Sequence, residues 1–133
     1  MGKNRCSISN LPFKPLIIDI FKSLEFVHEC GYLYRNIEPE HFMLNEEGQL
    51  TLIDFRRAKR YVDVKGHLLE VSDSTFNGSL FASNNQVRGF HEGRKDDLES
   101  LGYFALLLMR YDIPWYNMNK EMTIKVRSTI TLQ

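Results

Sequence analysis

No part of this 133-residue sequence is apolar for long enough to cross a membrane; the most hydrophobic run, residues 104–109, falls far short of the roughly 20 residues a spanning helix needs and reads as buried helix instead. Neither sign of charge is in excess. Lys plus Arg (17) equals Asp plus Glu (17), so no long-range field draws nucleic acid or an anionic membrane to the chain, and neither is an expected partner. Cysteine is scarce: Cys6 and Cys30 stand in a chain with no secretory apolar segment, which predicts free thiols in a reducing compartment, cytoplasmic or nuclear. The start Met1-Gly2-Lys3-Asn4-Arg5-Cys6 lacks the hydroxyl residue that a myristoylation signal wants at the sixth position. Internal repeats and low-complexity tracts are also missing, and the length fits one folding unit with a real core but is short for a two-lobed enzyme.

What is present is periodic. Leu16, Ile17, Ile20, Phe21, Leu24 and Val27 recur at three- and four-residue spacing, Pro12 and Pro15 fall in the tolerated first turn, and Gly31 follows as a stop, which predicts an amphipathic helix over 12–30. Burying six such side chains is worth on the order of 10 kcal/mol before entropy is charged. Phe42-Met43-Leu44 and Leu50-Thr51-Leu52-Ile53 flank Asn45-Glu46-Glu47-Gly48-Gln49, the pattern of a hairpin over 42–53 with a Gly-containing turn. Residues 54–85, broken by Gly66, Gly78 and Ser72-Asp73-Ser74-Thr75, read as a long surface segment. Leu98, Leu101, Phe104, Ala105, Leu108 and Met109 then predict a helix over 95–110, apolar on nearly every face and central to the fold, which Pro114-Trp115 ends. A further short helix over 121–130 is weakened by the β-branched Thr123, Ile124, Val126 and Thr129.

Between the first helix and the hairpin stands Tyr34-Arg35-Asn36-Ile37-Glu38-Pro39-Glu40-His41, and Asp54-Phe55 follows the second strand. This is the outline of a kinase catalytic loop and its metal-binding Asp-Phe pair. Together with Glu25-Phe26-Val27-His28, Ala58-Lys59-Arg60-Tyr61 and Arg94-Lys95-Asp96-Asp97-Leu98-Glu99-Ser100-Leu101-Gly102-Tyr103, it resembles the C-terminal lobe of the casein kinase 1 group, which includes the vaccinia-related kinases. The resemblance implies an α+β, mainly α fold with helices around a small β-hairpin. A Gly-rich loop, β3 lysine, αC glutamate and hinge are not found, so the N-terminal lobe is expected to be absent, as are the lobe's final helices.

Carried over position by position, the resemblance places the proton-accepting aspartate at Asn36, whose amide has no comparable basicity; general-base help is worth about two to four decades in rate. The lysine that contacts the transferred phosphate falls on Glu38, and at a 4 Å separation with a dielectric of 20 each unit-charge interaction is roughly 4 kcal/mol. The metal-binding asparagine falls on His41, a softer ligand better suited to zinc or copper than to magnesium. Asp54 keeps the family identity, but its glycine neighbour is Arg56, which fills space and disfavours positive φ. Arg35 and Asp97 match the loop arginine and the αF aspartate that tethers the loop backbone. The segment 76–83 appears one residue short and lacks the arginine of casein kinase 1 proper, which puts recognition of pre-phosphorylated substrates in doubt.

Several residues have a plainer reading beside the functional one. Asp54 is either a strand-end cap and partner of a nearby Arg or a remnant of a metal and nucleotide site. His28 reads as a helix-end residue, and His28, Cys30 and His41 fit no standard zinc spacing. The basic run Arg56-Arg57 with Lys59-Arg60 is a solvated edge strand or a dock for an acidic partner. Ser72, Ser74 and Thr75 are ordinary loop hydroxyls or phosphate acceptors, and Trp115 is core or interface packing. The expectation is a pseudokinase-like binding or scaffolding module with a protein partner, another kinase or a kinase substrate, and no cofactor. The alternatives are an ATP- and magnesium-dependent serine/threonine kinase completed by a missing lobe or partner chain, and a truncated gene copy without function.

Overall fold

The computed structural model describes residues 13–72, 79–109, 114, 122–123 and 125–126. Its first element, α1 (Phe13–Glu29), places Pro15 in the opening turn, where a missing backbone N–H costs nothing. The helix ends where Gly31 takes φ 90°, a conformation that favours glycine, and an added Cβ there would stand 3.2 Å from Val62 Cγ2. The buried stripe is narrower than the periodicity predicts. Leu16, Ile20, Leu24 and Val27 are buried, but Ile17 is half-buried and Phe21 is 48% exposed, so gross burial is nearer four side chains, about 6–10 kcal/mol.

A two-residue strand, β1 (Tyr32–Leu33), leads into the catalytic-like loop. After a single 3-10 turn at Pro39–His41 come β2 (Phe42–Leu44) and β3 (Leu50–Leu52), antiparallel with Met43 opposite Thr51, as the hairpin pattern predicts. The turn is built by Asn45, whose Oδ1 accepts the backbone N–H of Glu47 and of Gln49, each at 2.9 Å, with Gly48 at φ 80°. Asp19 of α1 accepts the N–H of Leu50 at 3.2 Å, which fixes the hairpin to the helix.

The segment after β3 is not all irregular. β4 (Lys59–Arg60) pairs antiparallel with β1, and α2 (Asn84–Arg88) is a short helix closed by a reciprocal cap. Ser83 Oγ accepts the Gln86 N–H at 3.2 Å while Gln86 Oε1 accepts the Ser83 N–H at 2.9 Å, and Gly89 at φ 74° ends the helix.

The last element, α3 (Arg94–Leu108), corrects the expectation of a helix apolar on nearly every face. Its buried residues are Asp96, Asp97, Ser100, Leu101 and Phe104, whereas Leu98, Leu106, Leu107 and Met109 are exposed. The polar residues face inward because they serve backbone groups of other elements. Asp96 accepts the Gly93 N–H and a side-chain N–H of Asn85; Glu99 accepts the Asn84 N–H and the Tyr103 hydroxyl.

The main core joins the stripe of α1 to Phe42, Leu50, Leu52, Phe81, Leu101 and Phe104; a smaller cluster gathers Leu33, Tyr61 and Val71. No helix among the described residues is long and apolar enough to cross a membrane. The expectations for Cys6, Ser74, Thr75, Trp115 and most of the helix over 121–130 lie outside the described residues.

Candidate functional site

The loop between β1 and the 3-10 turn is held from the far side of the sequence. Asp97, buried near the start of α3, accepts the Tyr34 N–H through Oδ2 and the Arg35 N–H through Oδ1, both at 2.8 Å. The ring Nε2 of His28 donates to Oδ2 at 2.7 Å, so the carboxylate is satisfied by three donors. His28 is thus more than a helix-end residue: its backbone carbonyl also accepts the Tyr61 hydroxyl at 2.6 Å, joining α1, the loop, β4's flank and α3 at one point.

Arg35 is the one non-glycine residue among those described with positive φ, 66°, a strained conformation that persists only where the surroundings over-determine it. They do so here. Its guanidinium forms a two-pronged pair with Glu92, Nε to Oε1 and Nη2 to Oε2 at 3.1 Å each, with both side chains almost fully buried. Nη1 donates to the Arg57 carbonyl at 2.9 Å, and Gln86 Nε2 donates to the Arg35 carbonyl at 3.4 Å. Glu92 carried no signal of its own in the sequence, since a pairing across 57 residues leaves no local pattern.

The residues at the chemistry-bearing positions form a second, more exposed chain. Asn36 is buried, and its carbonyl accepts from Nδ1 of His41 at 2.8 Å. His41 Nε2 lies 3.4 Å from Asp54 Oδ2. Glu38 joins through its backbone, its carbonyl accepting the His41 N–H at 3.0 Å. Asp54 is engaged by Arg56 on both oxygens: Nε lies 3.0 Å from Oδ1 and 3.2 Å from Oδ2, Nη2 lies 2.7 Å from Oδ2, and the Arg56 N–H donates to Oδ1 at 3.1 Å. The Arg56 side chain and then its backbone N–H hold the Asp54 carboxyl well below the usual carboxylate range, and the same contact raises the guanidinium. Burial, the largest influence, pushes the Tyr34 hydroxyl well above the ordinary tyrosine value; it sits near the Asp54 backbone but makes no well-formed hydrogen bond.

Magnesium, the ion that the resemblance implies here, asks for near-octahedral oxygen donors at 2.0–2.1 Å. The donors are one carboxylate already engaged by a guanidinium, an imidazole, and a carbonyl committed to that imidazole, and this set does not fit the ion. His28, Cys30 and His41 are not brought together, and among the described residues no three His, Cys, Asp or Glu side chains gather to hold a metal.

A hairpin that delivers Asp-Phe, beside a loop whose backbone hangs from a helical aspartate, defines a kinase-type frame of α+β class. The sequence matches the protein kinase domain family over residues 2–132, and the chain belongs to that family. It is 37% identical over 108 residues to a probable casein kinase I homologue of Encephalitozoon cuniculi, an alignment that covers 80% of this chain and 34% of that protein. The chain is thus a kinase-like polypeptide related to casein kinase I, spanning about a third of the length of this relative.

Proposed function

We infer that the chain works as a casein kinase 1-like pseudokinase: a C-lobe that binds or scaffolds a protein partner without transferring phosphate. The observation that carries this reading is the state of Asp54, whose two oxygens both accept from Arg56. Around it the other positions point the same way. Asn36 offers an amide where a base would stand, Glu38 a negative charge where phosphate would arrive, and His41 a nitrogen ligand. Meanwhile the buried pair Arg35–Glu92 and the Asp97 hub keep the loop's shape. A retained frame with altered chemistry supports a role in binding.

A second reading is favoured by one fact, the 34% coverage of the casein kinase I relative. In it, an ATP-dependent serine/threonine kinase is completed by an N-terminal lobe from elsewhere in a longer chain or from a partner, and Asp54 is the surviving magnesium ligand.

Thermal-shift titration of the purified chain with ATP, with and without magnesium, separates the two, because a ligand that binds only the native state must raise its melting point. The pseudokinase reading expects no shift and no transfer to casein-like acidic substrates. Magnesium-dependent transfer that disappears in Asp54→Ala overturns it in favour of the enzyme.

A further inference from the structure

One internal turn of the chain holds apolar side chains out in solvent on a fixed backbone. After β4, residues 63–67 close a tight hairpin tip. Asp63 Oδ1 accepts the N–H of Lys65 at 2.8 Å and of His67 at 2.9 Å, the Asp63 N–H donates to the His67 carbonyl at 2.9 Å, and Gly66 takes φ 83°. Val62 bridges to Leu68, and the Leu69 N–H reaches the Tyr61 carbonyl at 2.8 Å, so both ends of the tip are tied down. On this ordered support Val64 is 91% exposed and Leu68 75%.

Beside the tip lies a recess of about 390 Å³, between the flank of α1, the start of α3 and residues 61–62. Phe21 and Leu98 are its half-exposed apolar walls. Val62 lines it too, and because Leu68 stands directly opposite Val62 in an antiparallel bridge, the two side chains share one face and the apolar surface runs on towards the tip. Continuous exposed apolar surface of this kind marks an interaction site, as scattered single side chains do not.

Charge divides between the two features. Glu25 and Glu29, four residues apart on one face of α1, both line the recess, are exposed and make no ion pair among the described residues. Arg94, the one guanidinium in the lining, is held over the Tyr61 ring at 5.2 Å. The tip carries the opposite sign, with the exposed Lys65 next to Val64. A tip that springs from the wall of the recess and holds Val64 in solvent does not fill that recess itself. Two copies related by a two-fold axis meet the condition, because tip and recess lie side by side and an isologous contact uses the same patch twice. Each tip then enters the other's recess, and the pair closes without a free tip.

We propose that two copies of this chain associate through this face, each placing Val64 and Leu68 against Phe21 and Leu98 of the other and Lys65 between the other's Glu25 and Glu29. The association is independent of whether the chain transfers phosphate.

Sedimentation velocity of the full chain, from about 5 to 500 µM, is the test. The expected result is a shift from monomer to dimer with no larger species. Lys65→Glu sets three carboxylates together and raises the dissociation constant about tenfold or more, and so does Glu25→Lys with Glu29→Lys, which sets three ammonium groups together. Mixed in equal amounts, these two variants pair again to within about threefold of the original constant, because every tip then faces the opposite charge. Two misfolded variants would not restore one another, and all three changes fall at exposed positions. Val64→Ser weakens the dimer, and neither charge variant rescues it. A monomer across the whole range, growth beyond the dimer, a dimer that Lys65→Glu leaves unchanged, or charge variants that stay apart when mixed overturns the proposal.

Discussion

At Asp97 a single carboxylate stands in for water at two backbone amides, and it is 2% exposed. Asp97→Ala leaves the Tyr34 and Arg35 N–H groups and the His28 ring without their acceptor, at about 1–3 kcal/mol for each buried donor. Urea denaturation should therefore show a loss of about 3 kcal/mol or more, and Asp97→Asn a smaller one, because an amide oxygen still accepts one of the three. Tyr34 makes stability depend on pH at the alkaline end. Its native hydroxyl is raised above the ordinary value of 10.0, so as pH climbs past 10 the unfolded chain releases a proton that the folded chain keeps. The stability is fully present below pH 10 and falls by up to about 1.4 kcal/mol per pH unit above it. Tyr34→Phe should flatten that slope in denaturation curves measured between pH 9 and about 11. At Asp54 the sign is opposite: Arg56 holds the carboxyl low, and Arg56→Gly should let it titrate upward towards 3.8, as side-chain carboxyl NMR would record. An unmoved titration in Arg56→Gly would show that the guanidinium is not its counter-ion.

At the scale of elements, α2 illustrates how a helix of five residues survives. Such a length has no stability of its own, and its cap must supply it. Ser83→Ala removes the buried hydroxyl that receives the Gln86 N–H and should cost about 1 kcal/mol of unfolding free energy. The signal for this helix stood in the sequence as Ser83-x-x-Gln86 followed by Gly89, but it straddles the end of the segment read as a long loop over 54–85 and the stretch before 95, which carried no reading. α1 and the hairpin were legible because an apolar period and an Asn-to-Gly turn are local patterns. The inward face of α3 was not. Leu98, Leu106 and Met109 look like core residues in a linear reading, and only the positions of the loop and of α2 explain why Asp96, Asp97 and Ser100 are buried instead. The roles read at Asn36, Glu38, His41 and Asp54 came from the resemblance to the kinase catalytic loop. Their mutual geometry could not come from it, since the Asp54–Arg56 contact depends on side-chain direction and His28–Asp97 spans 69 residues.

For the molecule as a whole, Phe104 is where the two helices and the hairpin meet. Its fully buried ring packs edge-on against Phe42 at 4.9 Å and Phe81 at 5.7 Å between ring centres. Phe104→Ala should cost about 3–5 kcal/mol, a large share of the roughly 5–15 kcal/mol that a domain has. The melting point is the check, and a loss under about 1 kcal/mol would mean that the core does not run through that ring. The loop's fastenings are distributed over the same distance, and this sets an order in time. The acceptor for its amides, Asp97, comes 62 residues after Arg35, and Glu92 comes 57 after it. A ribosome adding about 5–20 residues per second therefore leaves the loop without its anchors for on the order of several seconds. A nascent chain arrested before Glu92 already contains the sequence of α1 and the hairpin but lacks the two carboxylates that impose φ 66° on Arg35, so the shape of the loop waits on residues made well after it.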